Sequence, residues 1–187
     1  MKLVPEAPRT DGRVTLRQWE ESDAAFYARE TGDAEIQRWT TEAAALSEEF
    51  VRETLARHRA HPRHAAFAIT VAATDELAGN IALVSEDWST GVAEASYWIA
   101  AAWRGRGFSS AALRLLCEWG FRELGLRQIE LVTDPDNLPS RRTAEAGFAM
   151  DGTAPARKAG RPDLVLYSLL PPAKAPWASR RLAPAAG

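Results

Sequence analysis

The sequence of 187 residues contains a single cysteine, Cys117. One cysteine excludes an internal disulfide and fits a reducing compartment. No apolar run approaches the roughly 18 residues that a membrane span needs, and the N-terminus shows no signal-peptide pattern. The formal net charge of -2 gives no overall basic field for nucleic acid. We therefore expect a cytoplasmic enzyme or binding protein without a nucleic-acid or membrane partner.

The sequence also lacks a convincing metal motif. His58, His61 and His64 lie close together, but Pro62 breaks the helical spacing and no acidic or thiol ligand is near. We therefore expect no metal. The sequence has no Gly-Lys-Ser/Thr triplet either, so it gives no support to a P-loop.

The most informative stretch runs from Tyr97 to Ser110, where a strand leads through a basic, glycine-punctuated turn into a helix. Gly105 and Gly107 can take positive φ without steric cost, which allows the backbone to curl. The unpaired N–H groups and the dipole at a helix N-terminus attract anions. Arg104 and Arg106 add positive charge at the same place. The stretch therefore predicts a seat for a phosphate or pyrophosphate.

The residues after this turn predict the remainder of a strand–helix–strand unit. Apolar positions recur at helical spacing between Ser109 and Leu124, Gly125 suits the helix end, and Gln128–Val132 is typical of a strand. Further strands are predicted at Val14–Trp19, Ala65–Ala72, Leu77–Val84, Val92–Ile99 and Leu164–Leu170, and further helices after Ser22, over Asp33–Trp39, from Ser47 to about Arg59 and from Pro139 to about Ala146.

This order predicts an α+β domain whose sheet is mainly antiparallel and contains one parallel β-α-β crossover. We expect residues 1–13 to form an N-terminal lead-in, residues 14–171 the domain and residues 172–187 a C-terminal tail rich in Pro, Ala and Arg.

Four segments together resemble the GCN5-related N-acetyltransferase (GNAT) family, in the family's order and spacing. Arg104-Gly105-Arg106-Gly107-Phe108-Ser109 resembles its R/Q-x-x-G-x-G/A acyl-CoA pyrophosphate motif. The other three are Glu94–Ile99, similar to its fourth strand; Asn137-x-x-Ser140 with Gly147-Phe148, similar to its second cofactor motif; and Gly160–Leu169, similar to the closing strand of the RimJ/RimL type.

The resemblance implies a sheet of six or seven strands flanked by helices, and direct transfer of acetyl from acetyl-CoA to a primary amine in a ternary complex. The amine would belong to a protein N-terminus or a small molecule, and the enzyme would form a homodimer. Glu94 would act as the general base through water, and Ser140 would protonate the leaving thiolate. Acetyl-CoA would be bound by Ile99, Ala100, Arg104, Gly105, Arg106, Gly107, Phe108, Ser109 and Asn137, with backbone N–H groups around Ile99 and Ala100 as the oxyanion site.

Two features depart from the family pattern. Ser109 stands at the last position of the pyrophosphate motif, and the segment from Ser140 to Gly147-Phe148 is one residue shorter than the pattern. Thr143 also stands where many members carry a tyrosine acid. Asp163 is a second candidate for the base, and Tyr167 is an alternative acid. The loops around Asp33–Thr41 and Ser85–Gly91 are acidic, which favours a cationic acceptor; the acidic residues are Asp33, Glu35, Glu42, Glu86 and Asp87.

Two other functions remain open at this point. The missing tyrosine leaves room for a non-catalytic acetyl-CoA sensor or interaction module. Gly105-x-Gly107-x-x-Ser110, followed by Glu130, also approaches the dinucleotide-binding pattern G-x-G-x-x-G. That pattern normally opens a fold with several further βαβ units, and here too little chain follows it.

Overall fold

A computed structural model describes residue 3 and residues 7–60, 65–158 and 160–172. Its centre is one sheet of eight strands, in the spatial order β1-β2-β3-β4-β5-β6-β8-β7. The strands are β1 (Arg9–Thr10), β2 (Val14–Arg17), β3 (Ala65–Val71), β4 (Leu77–Val84), β5 (Val92–Ile99), β6 (Gln128–Thr133), β7 (Ala149–Ala154) and β8 (Leu164–Leu169).

Among the residues that the structure describes, five α-helices surround the sheet. They are α1 (Ala24–Glu30), α2 (Ala34–Trp39), α3 (Glu48–Ala60), α4 (Phe108–Arg122) and α5 (Leu138–Glu145). Every helix and strand predicted from periodicity is present within two residues or so of its predicted ends. No helix among the described residues is long and apolar enough to cross a membrane.

The sheet is antiparallel except between β5 and β6, which pair in parallel through the α4 crossover. This confirms the predicted α+β class. The expected six or seven strands are corrected to eight, because the two edge strands β1 and β7 were not predicted. β1 has only two residues, and β7 is exposed along most of its length and carries an irregularity between Met150 and Gly152, so neither shows a clean alternation.

The main core lies between the sheet and α4. Trp119, Leu116 and Ala112 of α4 are buried against Phe67 and Leu83 of the sheet. A second cluster on the opposite face joins Trp19, Ile36, Ala68 and Trp98, with Phe26 and Tyr27 packed beside it. Alternate residues of β5 therefore face different layers, with Trp98 toward α1 and α2, and Tyr97 and Ile99 toward α4.

The segment predicted as a lead-in contributes to this fold. Arg9–Thr10 pairs with β2, and Leu3 is buried in the main core. Residues 173–187, nearly all of the expected C-terminal tail, lie outside the described residues.

Gly79 of β4 allows close contact with the functional end of β5. A Cβ at this position would lie 2.3 Å from the Trp98 carbonyl oxygen. We predict that Gly79→Ala lowers the free energy of unfolding by about 1–3 kcal/mol, because the rigid backbone of β5 must shift. Gly147→Ala is the matched control, since no atom lies within 4 Å of its added Cβ. Urea unfolding of both variants measures the difference, and equal stabilities would contradict the prediction.

Candidate acetyl-transfer site

A cavity of ≈530 Å³ opens on β5, where this strand separates from β6. The parallel pairing covers only Val92–Glu94 against Gln128–Glu130, so the rest of β5 lacks a neighbour on that side. The cavity is lined by α2 and the residues that follow it, β5, the glycine turn, the end of β6, the start of α5 and the β7–β8 loop. It thus joins the predicted phosphate seat to a separate region beside α2.

The glycine turn has the geometry of an anion seat. Gly105 and Gly107 both have φ of +74°, in the left-handed region that favours glycine. No side chain caps the N-terminus of α4, and the Ala111 N–H is the first to donate back to the turn, to the Gly107 carbonyl. The N–H groups of Phe108 and Ser109 are therefore oriented for an anion at the cavity wall.

The cations near this turn differ from the prediction. Arg104 lines the cavity and donates to the Asp33 carboxylate at 2.5 Å and to the Ile99 carbonyl at 2.9 Å, so it also braces the turn against α2. Arg106 lies over the Trp103 ring at 4.8 Å and does not line the cavity. Arg13, which sequence analysis missed, has Nη1 3.1 Å from the position of a Cβ added to Gly107.

Only one of the two predicted oxyanion donors is available. The Ala100 N–H donates to the Ala78 carbonyl at 2.9 Å, so it is already used within the sheet. Successive N–H groups of a strand point to opposite sides. Ile99 therefore directs its N–H toward the open side of β5, where the cavity lies. The Ala100 N–H is therefore not a free oxyanion donor, and Ile99 remains the candidate.

Ser140 lies on the cavity wall with a partner that the sequence did not suggest. Its Oγ is 3.0 Å from the Tyr97 hydroxyl, and the Asn137 side chain caps α5 by accepting from the Ser140 N–H at 3.2 Å. Burial raises the pKa of Tyr97, and hydrogen bonds with Ser140 and Thr143 oppose that shift only in part. The Tyr97 hydroxyl thus remains protonated beside Ser140 at neutral pH.

Tyr97 lies near the position at which many family members carry a tyrosine, but Tyr97 belongs to β5 and that position belongs to α5. Thr143, at the position of that tyrosine, has its hydroxyl 3.2 Å from the Ser109 hydroxyl, which ties α5 to the first turn of α4. The sequence could have indicated Tyr97, because it lies two residues before Ile99 and therefore on the same face of β5. Tyr167, the alternative acid, hydrogen-bonds to Glu145 and does not line the cavity.

Glu94 lines the cavity and forms an ion pair. Both nitrogens at the end of the Arg157 side chain donate to it, one of them at 2.8 Å. This hydrogen bonding raises the pKa of Arg157 despite partial burial. Asp163, the second candidate for the base, accepts from the Ala156 N–H and is not on the cavity wall.

The region beside α2 is mixed in charge, whereas the sequence suggested acidic loops. The Asp33 carboxylate forms an ion pair with Arg104, and neither Glu86 nor Asp87 lines the cavity. Glu35 and Glu42 do line it. Basic side chains from α2 and the β7–β8 loop line it as well, namely Arg38, Arg157, Lys158 and Arg161.

The comparisons with known proteins agree with this geometry. Residues 13–148 match the sequence profile of the acetyltransferase (GNAT) domain, so the chain belongs to the GNAT family. Acetyl-CoA is the co-substrate of this family, and the protein is an N-acetyltransferase. The match displaces the dinucleotide-binding alternative.

Individual relatives support the same placement. The chain is 29% identical over 135 residues to the uncharacterized N-acetyltransferase p20 of Bacillus licheniformis, covering 68% of this chain and 74% of p20. It is 37% identical over 98 residues to YdaF of Bacillus subtilis, whose name proposes a ribosomal N-acetyltransferase, covering 50% and 54% of the two chains. This agrees with the RimJ/RimL resemblance.

Among solved structures, the spermidine N-acetyltransferase of Vibrio cholerae in complex with CoA and spermine has the same fold. Its TM-score is 0.76 at 22% identity, with 86% of this chain and 96% of that chain covered.

Asp33 connects α2 to the glycine turn, and its effect on stability should depend on pH. Burial alone would raise its pKa, but hydrogen bonds from Arg104, Ile36 and Glu35 lower it below the ordinary value. We predict that Asp33→Ala destabilises the protein by about 1–2 kcal/mol at pH 7, as expected for a lost helix cap and side-chain bond.

The sign of this pH dependence follows from the lowered pKa. Asp33 contributes stability above its unfolded pKa of about 3.9 and loses it as the pH falls through the lower folded pKa. Urea unfolding from pH 7 to pH 3 should therefore show the difference from wild type shrinking below about pH 4. Asp136→Ala, at an exposed side chain, is the control. A pH-independent difference would contradict the assignment.

Proposed function

We propose that the protein moves an acetyl group from acetyl-CoA directly to a primary amine bound beside α2. The observation that carries this proposal is the single cavity that joins the anion seat at α4 to a charged acceptor region, with the Ile99 N–H between them. Both substrates could then lie in the cavity together, as direct transfer in a ternary complex requires.

The residues present fit the diphosphate of acetyl-CoA. The first N–H groups of α4 lack a capping side chain, and the space at Gly105 is open, with no atom within 4 Å of an added Cβ. Arg13 and the exposed Arg106 supply positive charge beside this turn. Acetyl-CoA supplies a thioester, whose carbonyl carbon is open to attack by an amine.

The Ile99 N–H donates a hydrogen bond to the thioester oxygen as negative charge develops there. A fixed donor aimed at such an oxygen stabilises the transition state, and removing one donor of this kind typically costs about 100- to 1,000-fold in kcat. Ile99 is held for this role because the neighbouring Ala100 is bonded to Ala78 of β4.

Glu94 accepts the proton that the amine loses as its nitrogen bonds to the carbonyl carbon. The Cα atoms of Glu94 and Ile99 lie about 17 Å apart along the extended strand, so a chain of several waters in the cavity carries this proton to Glu94. The Arg157 guanidinium orients the Glu94 carboxylate, and a rotation of Arg157 would open that carboxylate to water.

Ser140 protonates the sulfur as the carbon–sulfur bond breaks. An ordinary thiol has a pKa near about 8.5, so this proton helps the thiolate leave without being strictly required. The Tyr97 hydroxyl, 3.0 Å from Ser140 Oγ, positions the serine and returns a proton to it.

The direct test is thiol release from acetyl-CoA across a panel of short peptides, polyamines, aminoglycosides and amino acids, with mass spectrometry of any product. Acceptor-dependent release and a product heavier by one acetyl group are expected. Glu94→Gln and Ser140→Ala should keep acceptor binding and lose rate. Tight acetyl-CoA binding without turnover for any acceptor would favour the sensor alternative.

The hydroxyl pair makes a separate prediction. Ser140→Ala should lower kcat by about 100-fold, the lower end of what a general acid contributes, and Tyr97→Phe by a smaller factor of about ten, because Tyr97 acts through Ser140. Both variants should keep the Kd for acetyl-CoA. Tyr167→Phe is the matched control, since that hydroxyl lies off the cavity and should leave kcat unchanged.

The pH profile of kcat distinguishes proton supply from packing. A fluorotyrosine at position 97, with its lower pKa, should shift the basic limb of the profile to lower pH. An unshifted profile, or a Tyr97→Phe variant with the wild-type kcat, would contradict the role of Tyr97.

The identity of the acceptor, the oligomeric state and the cellular location of the protein are also part of this proposal. YdaF is named for ribosomal acetylation and the Vibrio cholerae neighbour for spermidine, so a protein N-terminus and a small amine both suit the acceptor region. Homodimer formation and a cytoplasmic location also stay predictions, and light scattering of the purified protein measures the first.

A further inference from the structure

Glu42 is the one acidic side chain on the cavity wall, among the described residues, that has only neutral partners. Both of its carboxylate oxygens accept from the Tyr27 hydroxyl at 3.0 Å, and Oε1 accepts from the Trp98 Nε1 at 3.3 Å. The carboxylate is half-buried in the residues that follow α2, and no described cation pairs with it.

The other acids of the cavity each have a cation of the chain nearby. Glu94 pairs with Arg157, Asp134 pairs with Arg161 at 2.5 Å, and Glu35 lies 3.9 Å from Arg38. Lys158 is exposed and donates to the Gln37 carbonyl at 2.5 Å. The negative charge of Glu42 is thus the one that the described residues leave without an ionic partner.

The surroundings of Glu42 make this charge significant. Trp19, Phe26, Tyr27 and Trp98 form an aromatic cluster in which neighbouring ring centroids lie 5.1–6.5 Å apart. Such rings displace water, which strengthens any ion pair formed beside them, and their faces also attract cations. Burial and the neighbouring Glu42 carboxylate both raise the pKa of Tyr27, so its hydroxyl stays a neutral donor.

We propose that Glu42 binds a second cationic group of the acceptor, distinct from the amine that is acetylated. This inference rests on the proposed acetyl transfer. The reacting amine must be neutral when it attacks, whereas an ammonium paired with a carboxylate holds its proton. Glu94 and Trp98 lie on the same face of β5, roughly 13 Å apart along the strand, so the two carboxylates can serve two separate groups.

The acceptor is therefore a diamine, or a peptide with a lysine or arginine close to its N-terminus. Both sources share the second cation, and matched acceptors separate them. One pair is diaminobutane against butylamine, and the other consists of short peptides with lysine or norleucine at the second position.

The experiment measures kcat/KM for each matched pair by thiol release. In the wild type the dicationic acceptor should exceed its monocationic partner by about tenfold, which corresponds to about 1.4 kcal/mol. Glu42→Gln should reduce this ratio to about one without changing the Kd for acetyl-CoA. Glu35→Gln is the matched control, because Glu35 lines the same cavity but already contacts Arg38 and Trp39.

A further variant and a binding measurement separate the loss of the Glu42 charge from a general loss of stability. Tyr27→Phe removes a neutral donor but leaves the Glu42 charge, so it should retain the ratio even if Glu42→Gln melts at a lower temperature. Calorimetric binding of diaminobutane in the presence of CoA tests the subsite without turnover, and Glu42→Gln should abolish it.

Failure of this inference differs from failure of the proposed function. Turnover with a ratio that Glu42→Gln leaves unchanged, or that Lys158→Met removes instead, would overturn the Glu42 subsite alone. A wild type that binds neither acetyl-CoA nor diaminobutane would overturn both.

Discussion

The site depends on the separation of β5 from β6. Parallel pairing between these strands stops at Glu94, although β5 continues to Ile99. Backbone groups on the open side of β5 then need another partner, because an unpaired buried N–H is costly. A substrate in the cavity can supply that partner. The separation also creates the space in which the glycine turn, α2 and α5 meet.

Side chains around this gap hold it in a defined shape. Arg104 links the glycine turn to Asp33, which caps α2, so the turn and α2 are mechanically connected. On the other side, Arg161 links the β7–β8 loop to Asp134 at the end of β6 and lies 5.2 Å from the Trp39 ring. These contacts explain why charged residues expected to bind substrates serve in part as structural braces.

The sequence predicted the layout of the fold well because its signals are local. Helical periodicity, the glycine turn and alternating strands fix α4, β5 and β6 without tertiary information. The edge strands β1 and β7 lacked such a signal. Gly105, Gly107, Ile99, Asn137 and Ser140 also line the cavity, since they belong to segments whose backbone geometry defines the motif.

Side-chain partners could not be predicted in the same way. Arg104 finds Asp33, and Glu94 finds Arg157, across distances in sequence that no local pattern encodes. Tyr97 reaches Ser140 because β5 and α5 are neighbours in space. The sequence indicated Glu42 only as one of several acidic residues that favour a cationic acceptor. Its importance is visible only when its neighbours are known.

The central claim is that acetyl-CoA occupies the gap beside β5 and the N-terminus of α4. Residue-resolved amide hydrogen exchange, with and without acetyl-CoA, tests it most directly. The amides of Ile99, Phe108 and Ser109 should become strongly protected, while Ala100, already bonded to Ala78, should change little. Protection that appears elsewhere, or no protection at Ile99 and the start of α4 at saturating acetyl-CoA, would contradict the account.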